Sequence, residues 1–267
     1  MPARGFASPG SVWRRLRSDP AHGPLPVLLV GLTVLTGVVD AISILSLGRV
    51  FVANMTGNVV FIGFALTGAA GFSLAASLAA LAGFLIGAGV GGRLVRRFGD
   101  DRGLLFLTGV AAELALIVAA LIVIQAVDRS ITPLVGAVVA AVMAVGTGVQ
   151  NAVVRRLAVP DMTTTVLTMT LTGIAADVRA GNASRALKRR LLAVAAMLGG
   201  AVAGSELVLH QGTSAALSLA IGLLAVITIG AGRAASSPAD WRHATAVAPS
   251  SHGPTSVTFH AKEGERP

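Results

Sequence analysis

Apolar runs of about 20 residues, separated by short basic turns, fill most of this chain, and they decide what it can fold into. A run of that length matches the thickness of a bilayer core when helical. Eight such stretches can be marked, at 26–48, 51–70, 72–92, 104–126, 131–152, 162–178, 191–209 and 214–232. Only 12% of the 267 residues are charged, against roughly 25% in soluble domains. The sequence therefore predicts an all-α, polytopic helical membrane protein.

Two of the eight stretches are too polar to be ordinary spans. The stretch 51–70 carries Asn54, Thr56 and Asn58 in its first half, and 162–178 has Thr at 163, 164, 165, 168, 170 and 172. The positive-inside rule tests whether they cross. If all eight cross from a cytoplasmic N-terminus, the 21 Lys and Arg divide 14 inside and 7 outside. If the two polar stretches enter and leave on one side, only Arg49 and Arg129 of the 21 lie outside. The second division predicts six transmembrane helices plus two re-entrant or half-helix segments in the cell inner membrane, with both termini cytoplasmic. Seven or eight full spans remain the alternative.

Four regions follow. Residues 1–25 form a basic cytoplasmic tail without the short apolar region of a cleaved signal peptide. Residues 26–126 and 131–232 are two membrane units, and 233–267 read as a disordered tail rich in Ala, Ser and Pro. The two units look like copies. An offset of 111 lays Gly37-Val-Val-Asp40-Ala41 over Gly148-Val-Gln-Asn151-Ala152, and Met55–Asn58 lies over Leu167–Thr170 with one residue inserted. Gly83 and Gly87 then correspond roughly to Gly199 or Gly200 and Gly204. An odd number of crossings per copy inverts the second copy, an arrangement frequent in transporters, whose site lies at the midplane.

Asp40 is the outstanding chemical feature, the only charged residue of 26–48. An ionisable group inside a membrane segment is costly and is a functional candidate with a proton, cation or polar solute as its ligand. The alternative role is a hydrogen bond that ties helices together. Asn151 is its counterpart in the second unit and cannot ionise. Asn54 and Asn58 share a face if helical, and with Thr56 they can bind a solute or join helices. Thr164, Thr168 and Thr172 form a stripe that can do the same or bond back to their own helix. Glu113 is a second intramembrane carboxyl, and Glu206 with His210 forms an i, i+4 pair near an interface. Gly83, Gly87 and Gly91, and Gly200 and Gly204, recur every fourth position, as close helix contacts require.

Cys is absent, which removes disulfides and thiolate sites, and no metal spacing is present. No cofactor is expected. The net charge of +9 comes from span-end clusters that set orientation and face anionic lipid, so nucleic acid is not a partner. No H-E-x-x-H, G-x-S-x-G or P-loop pattern points to an enzyme.

The run Gly37–Gly48, GVVDAISILSLG, followed by Val50–Asn58, VFVANMTGN, resembles the signature of the YoaK-like family of uncharacterised integral membrane proteins. Val166–Asp177 is similar to that family's later stretch, with Met169 where a small residue is expected. The resemblance covers about 27–232. It implies a compact multi-span protein and no activity. On the residues themselves, the expected function is a secondary transporter or permease of a small polar solute or ion, coupled through Asp40. A passive channel and a scaffold or accessory subunit are the alternatives. The expected partners are the bilayer, a small solute or ion, and further copies of the chain.

Overall fold

The computed structural model describes residues 19, 21–127, 131–160, 167–179, 185–238 and 240–243. Eight helices occur among them: α1 Leu25–Ser46, α2 Met55–Leu66, α3 Leu74–Phe98, α4 Arg102–Ala126, α5 Pro133–Leu157, α6 Leu167–Arg179, α7 Arg185–Gln211 and α8 Thr213–Ala235. Helix starts follow local chemistry. The Ser73 hydroxyl accepts from Ala76 N, the Asp101 carboxylate from Leu104 N, and the Thr132 hydroxyl from Val135 N with Pro133 next in line. Each satisfies an N–H that the first turn leaves open. Gly212, at φ 89°, makes the tight reversal between α7 and α8 that a residue with a side chain would resist.

Six helices, α1, α3, α4, α5, α7 and α8, are long and apolar enough to span a membrane. Their outward faces carry Leu85, Ile86, Ile122, Leu198 and Val226, all more than 60% exposed, as lipid-facing positions should be. With 12 and 13 residues, α2 and α6 reach only about 18–20 Å, short of the roughly 30 Å core. This is the arrangement of six spans and two half-helices, not seven or eight full spans. The spans run past the apolar stretches into basic residues: α3 extends to Phe98, α5 to Leu157, and α7 starts at Arg185.

Each unit gives up its first helix to the other. α1 packs on α7 and α8, while α5 packs on α3 and α4; α2 lies on α3, α6 on α7, and α4 meets α8 across the middle. Glycines set the closest crossings. A Cβ on Gly87 would strike the backbone of Val145, and one on Gly200 would strike the backbone of Val34. Gly91 faces Val149 and Ala152, as Gly204 faces Val38 and Ala41. From the opposite side, Gly148 meets Phe84 and Ala88, as Gly37 meets Met197 and Ala201. The α1 and α5 partners are 111 positions apart, and the α3 and α7 partners 113. By their contacts Gly87 is the counterpart of Gly200 and Gly91 of Gly204, where the sequence alignment had set Gly83 and Gly87 roughly against Gly199 or Gly200 and Gly204. Gly83 also rests on backbone, at Ala141.

The stretch 51–70 is not one helix. After α1 the chain turns at Gly48 and Arg49, with φ 91° and 56°, and residues 50–54 are non-helical. Leu47 lies against Gly136 near the start of α5, and the Val52 carbonyl takes a hydrogen bond from Thr147, 11 residues further along the same helix. Eleven helical residues rise about 17 Å, the reach of about five extended residues, so this leg descends beside α5. Helix α2 climbs back. Gly71, Phe72 and Ser73 then meet Ser46, Leu47 and Gly48 around a cavity of about 340 Å³ that Ile131, Thr132 and Pro133 also line. Both ends of the segment therefore lie at one end of the bundle. Phe51 stacks on Phe61 at 5.5 Å, and Phe61 meets Phe72 at 5.0 Å, which fastens leg, helix and exit together. The lead-in to α6, residues 161–166, lies outside the described residues.

The arginine-rich end is tied by its flanking segments. Asp19 pairs with Arg189 at 2.8 Å, and Arg102 donates to the carbonyls of Ala21 and Leu157. Asp101 pairs with Arg242, whose hydrogen bond holds that carboxyl below the usual carboxylate range. Trp241 is buried in the short turn Asp240–Arg242, against Gly23. Within the stretch read as a disordered tail, α8 continues to Ala235 and Asp240–Arg242 form a short turn, where an indole covering a glycine removes apolar surface from water. Residues 1–18 and 244–267 lie outside the described residues.

Candidate functional site

Two buried polar side chains of the spans, Asp40 and Thr147, lie against the first leg. Asp40 is 8% exposed on α1. The backbone N–H of Ala53 lies beside its carboxyl, while Oδ1 has no partner. Nearby hydroxyls are turned onto their own helix: Ser43 donates to the Asp40 carbonyl at 3.1 Å, and Thr36 to Leu32 at 2.9 Å. The peptide unit that contacts Asp40 is held from the other side as well. Its N–H belongs to Ala53 and its carbonyl to Val52, and that carbonyl accepts from the Thr147 hydroxyl of α5. One peptide of unwound chain therefore joins the helix bearing Asp40 to the helix bearing Thr147. Non-helical backbone at this depth survives only because protein satisfies it.

Asn58 makes the leg possible. It is fully buried; its Oδ1 accepts from Phe51 N at 2.9 Å, and its Nδ2 donates to Phe51 O at 2.6 Å. The amide thus substitutes for a neighbouring strand. Asn54 and Thr56 lie on the exposed side, so the face that Asn54 and Asn58 were expected to share does not form: Asn54 is the residue before α2, outside its helical geometry. Asn54 and Thr56 are not brought to Asp40, and both donor and acceptor of Asn58 are engaged by Phe51.

A second polar group adjoins the first along α5. Glu113 of α4 is fully buried. In the amide orientation that satisfies Gln150, its nitrogen donates to Glu113 Oε1 at 2.9 Å and Oε2 at 3.3 Å. Gln150 is one helical turn from Thr147, and Asn151 donates to the Thr147 carbonyl at 2.8 Å. Thr147 and Gln150 were not singled out from the sequence. The available signal was Gln150 beside Asn151 within the repeated Gly-x-x-[Asp/Asn]-Ala motif.

The threonine stripe does not join this group. Thr168 and Thr172 are exposed on α6, where the Thr172 hydroxyl donates to the Thr168 carbonyl at 3.0 Å; Thr170 is the buried one. Thr164 lies outside the described residues. Glu206 and His210 meet at 3.2 Å on an exposed face. No group of three or more His, Cys, Asp or Glu that could hold a metal occurs among the described residues.

A family model described as a protein of unknown function, DUF1275, matches residues 28–230. The chain is similar to the UPF0700 transmembrane protein YoaK of Bacillus subtilis (strain 168), with 33% identity over 153 residues, or 57% of this chain and 66% of that protein. The match thus spans just under two-thirds of the relative's length. No solved structure matches the chain.

Proposed function

The chain belongs to the DUF1275 family of proteins of unknown function, so its activity has to come from its own site, and we propose that it is a secondary transporter or permease of a small polar solute or ion, coupled through Asp40. The observation that carries this reading is the buried Asp40 oxygen without a partner, beside an unwound, re-entrant leg. A carboxylate that only stitched helices together would have both oxygens engaged, because an unpaired polar atom in a membrane interior costs several kcal/mol. Broken helices at mid-membrane supply the ligands of many transporters.

The reciprocal glycine contacts, Gly87 on Val145 and Gly200 on Val34, support reading the halves as inverted copies. In that reading the moving bodies are α2–α5 and α1 with α6–α8, which meet at α4 and α8 and through the leg. The positive-inside rule applied to the basic clusters supports reading the arginine-rich end as cytoplasmic in an inner-membrane protein. No enzymatic step is assigned.

The test is uptake of a solute panel into proteoliposomes, with and without a pH gradient. Wild-type chain should accumulate at least one solute when the gradient is imposed, and Asp40→Asn should lose the dependence on the gradient. Accumulation by Asp40→Asn equal to wild type would remove Asp40 from coupling. A stable protein partner and no uptake would favour a scaffold.

A further inference from the structure

Glu113 is buried more completely than Asp40, and the site as described so far does not use it. Its surroundings are an amide from Gln150 and the Cα face of Gly146. The charged groups of the packed elements sit at helix ends. Those of α3 and α5 are Arg93, Arg96 and Arg97, and Arg155 and Arg156; α8 ends with Arg233. On the elements beside Asp40, Arg185, Lys188, Arg189 and Arg190 lie in the first two turns of α7, Glu206 and His210 are near its other end, Arg233 is near the end of α8, and Arg49 lies at the top of the leg. Among the described residues no charged side chain pairs with either carboxyl. A carboxylate buried without a counter-charge is too costly to persist, so something neutralises each one.

The geometry selects what that is. A hard metal cation collects about six oxygens. Glu113 is met by one amide, that of Gln150, and Asp40 by the N–H side of the Val52–Ala53 peptide, which offer no such set of oxygens. A proton needs one oxygen, and Asp40 Oδ1 is open. The two carboxyls also meet adjacent turns of α5: Thr147 holds the carbonyl of the Val52–Ala53 peptide that lies beside Asp40, and Gln150, one turn on, meets Glu113.

We propose that Asp40 and Glu113 are a coupled pair of proton-binding carboxyls facing adjacent turns of α5, at Thr147 and Gln150, so that the ion exchanged at this site is the proton. The proposal rests on the transport reading for its biological use, but not for its test. One proton resides on each carboxyl in the resting chain. Its loss from one carboxyl changes the charge felt at the other through the shared helix α5.

Infrared difference spectra of the full chain in liposomes, recorded over a pH series in H2O and D2O, test this without any transported solute. The expected wild-type result is two carboxylic-acid carbonyl bands that disappear at high pH and shift in D2O. Asp40→Asn should remove one band and Glu113→Gln the other, and Glu113→Gln should move the Asp40 midpoint by about one pH unit, the interaction at which two sites titrate as a pair. Thr147→Val should keep both bands and reduce that interdependence. A wild-type spectrum without buried carboxylic-acid bands would overturn the proposal whatever the variants do, as would an Asp40 midpoint unchanged in Glu113→Gln. Coupled bands without any uptake would defeat the transport reading and keep the coupled proton pair; gradient-driven uptake without such bands would do the reverse.

Discussion

Gly200→Leu is expected to prevent recovery of a folded, monodisperse chain, whereas Gly199→Leu beside it leaves stability within about 0.5 kcal/mol of wild type. The difference lies in what each side chain would meet. A Cβ at Gly200 runs into the carbonyl and Cα of Val34 on α1, while at Gly199 nothing lies within 4 Å. Overfilling a packed interior costs about 1–3 kcal/mol even where side chains can rotate away. Here the obstacle is backbone, so α1 and α7 must separate, and the crossing at Gly37 opens with them. Against a total stability of about 5–15 kcal/mol, that loss is severe. Gly87→Leu should behave like Gly200→Leu, because Gly87 meets Val145 in the same way, and Gly89→Leu like Gly199→Leu, because Gly89 faces open space. Thermal unfolding followed by size-exclusion chromatography in detergent measures all four. Equal behaviour of Gly199 and Gly200 variants would mean that the helices do not approach as described.

Asn58→Ala should release the re-entrant leg. The side chain satisfies both the N–H and the carbonyl of Phe51, and it is fully buried. Each buried backbone group left unpaired costs about 1–3 kcal/mol, so the variant should lose about 2–6 kcal/mol, felt first in residues 50–54. Asn58→Asp does not rescue it, since a carboxylate can accept from the Phe51 N–H but offers its carbonyl no donor. Hydrogen exchange resolved to the peptide level is the measurement: amides of Phe51–Ala53 should exchange markedly faster in Asn58→Ala, with those of α5 little changed. Unaltered protection across the leg would show that the Phe51 contacts do not hold it.

The spans were legible because lipid solvation demands long apolar helices and nothing else in the chain supplies them. The two short elements were legible from polarity and charge placement together. Polar residues alone would have fitted a full span, but Arg93, Arg96 and Arg97, together with Arg155 and Arg156, had to share a side with Arg14, Arg15 and Arg17 of the basic tail. What could not be read was how the polar stretch divides. The sequence MTGNVVFIGF continues smoothly from FVAN, and only the tertiary bond from Asn58 back to Phe51 shows where extended chain gives way to helix. The exchange of first helices was hidden for a similar reason: Val34 and Val145 look like ordinary lipid-facing residues until Gly200 and Gly87 are laid against their backbones. At the site, Asp40 and Glu113 stood out as lone carboxyls, whereas Thr147 and Gln150 are common in helices and gain meaning only from the leg and from Glu113. Asn54 and Thr56 erred in the other direction: a helical period was applied to Asn54, which precedes the helix, and Thr56 lies on its exposed side.

The absence of native cysteine makes the central claim, that the first polar stretch returns to the side it left, directly measurable. Single cysteines at Arg49, Ala70 and Asp100, all exposed positions, can be labelled with a membrane-impermeant maleimide in intact cells and in inverted vesicles. The account predicts that positions 49 and 70 react from one side, the periplasmic one, and position 100 only from the other. Labelling of 49 and 70 from opposite sides would mean that the stretch crosses the bilayer, and the re-entrant leg with its hold on Asp40 would not exist.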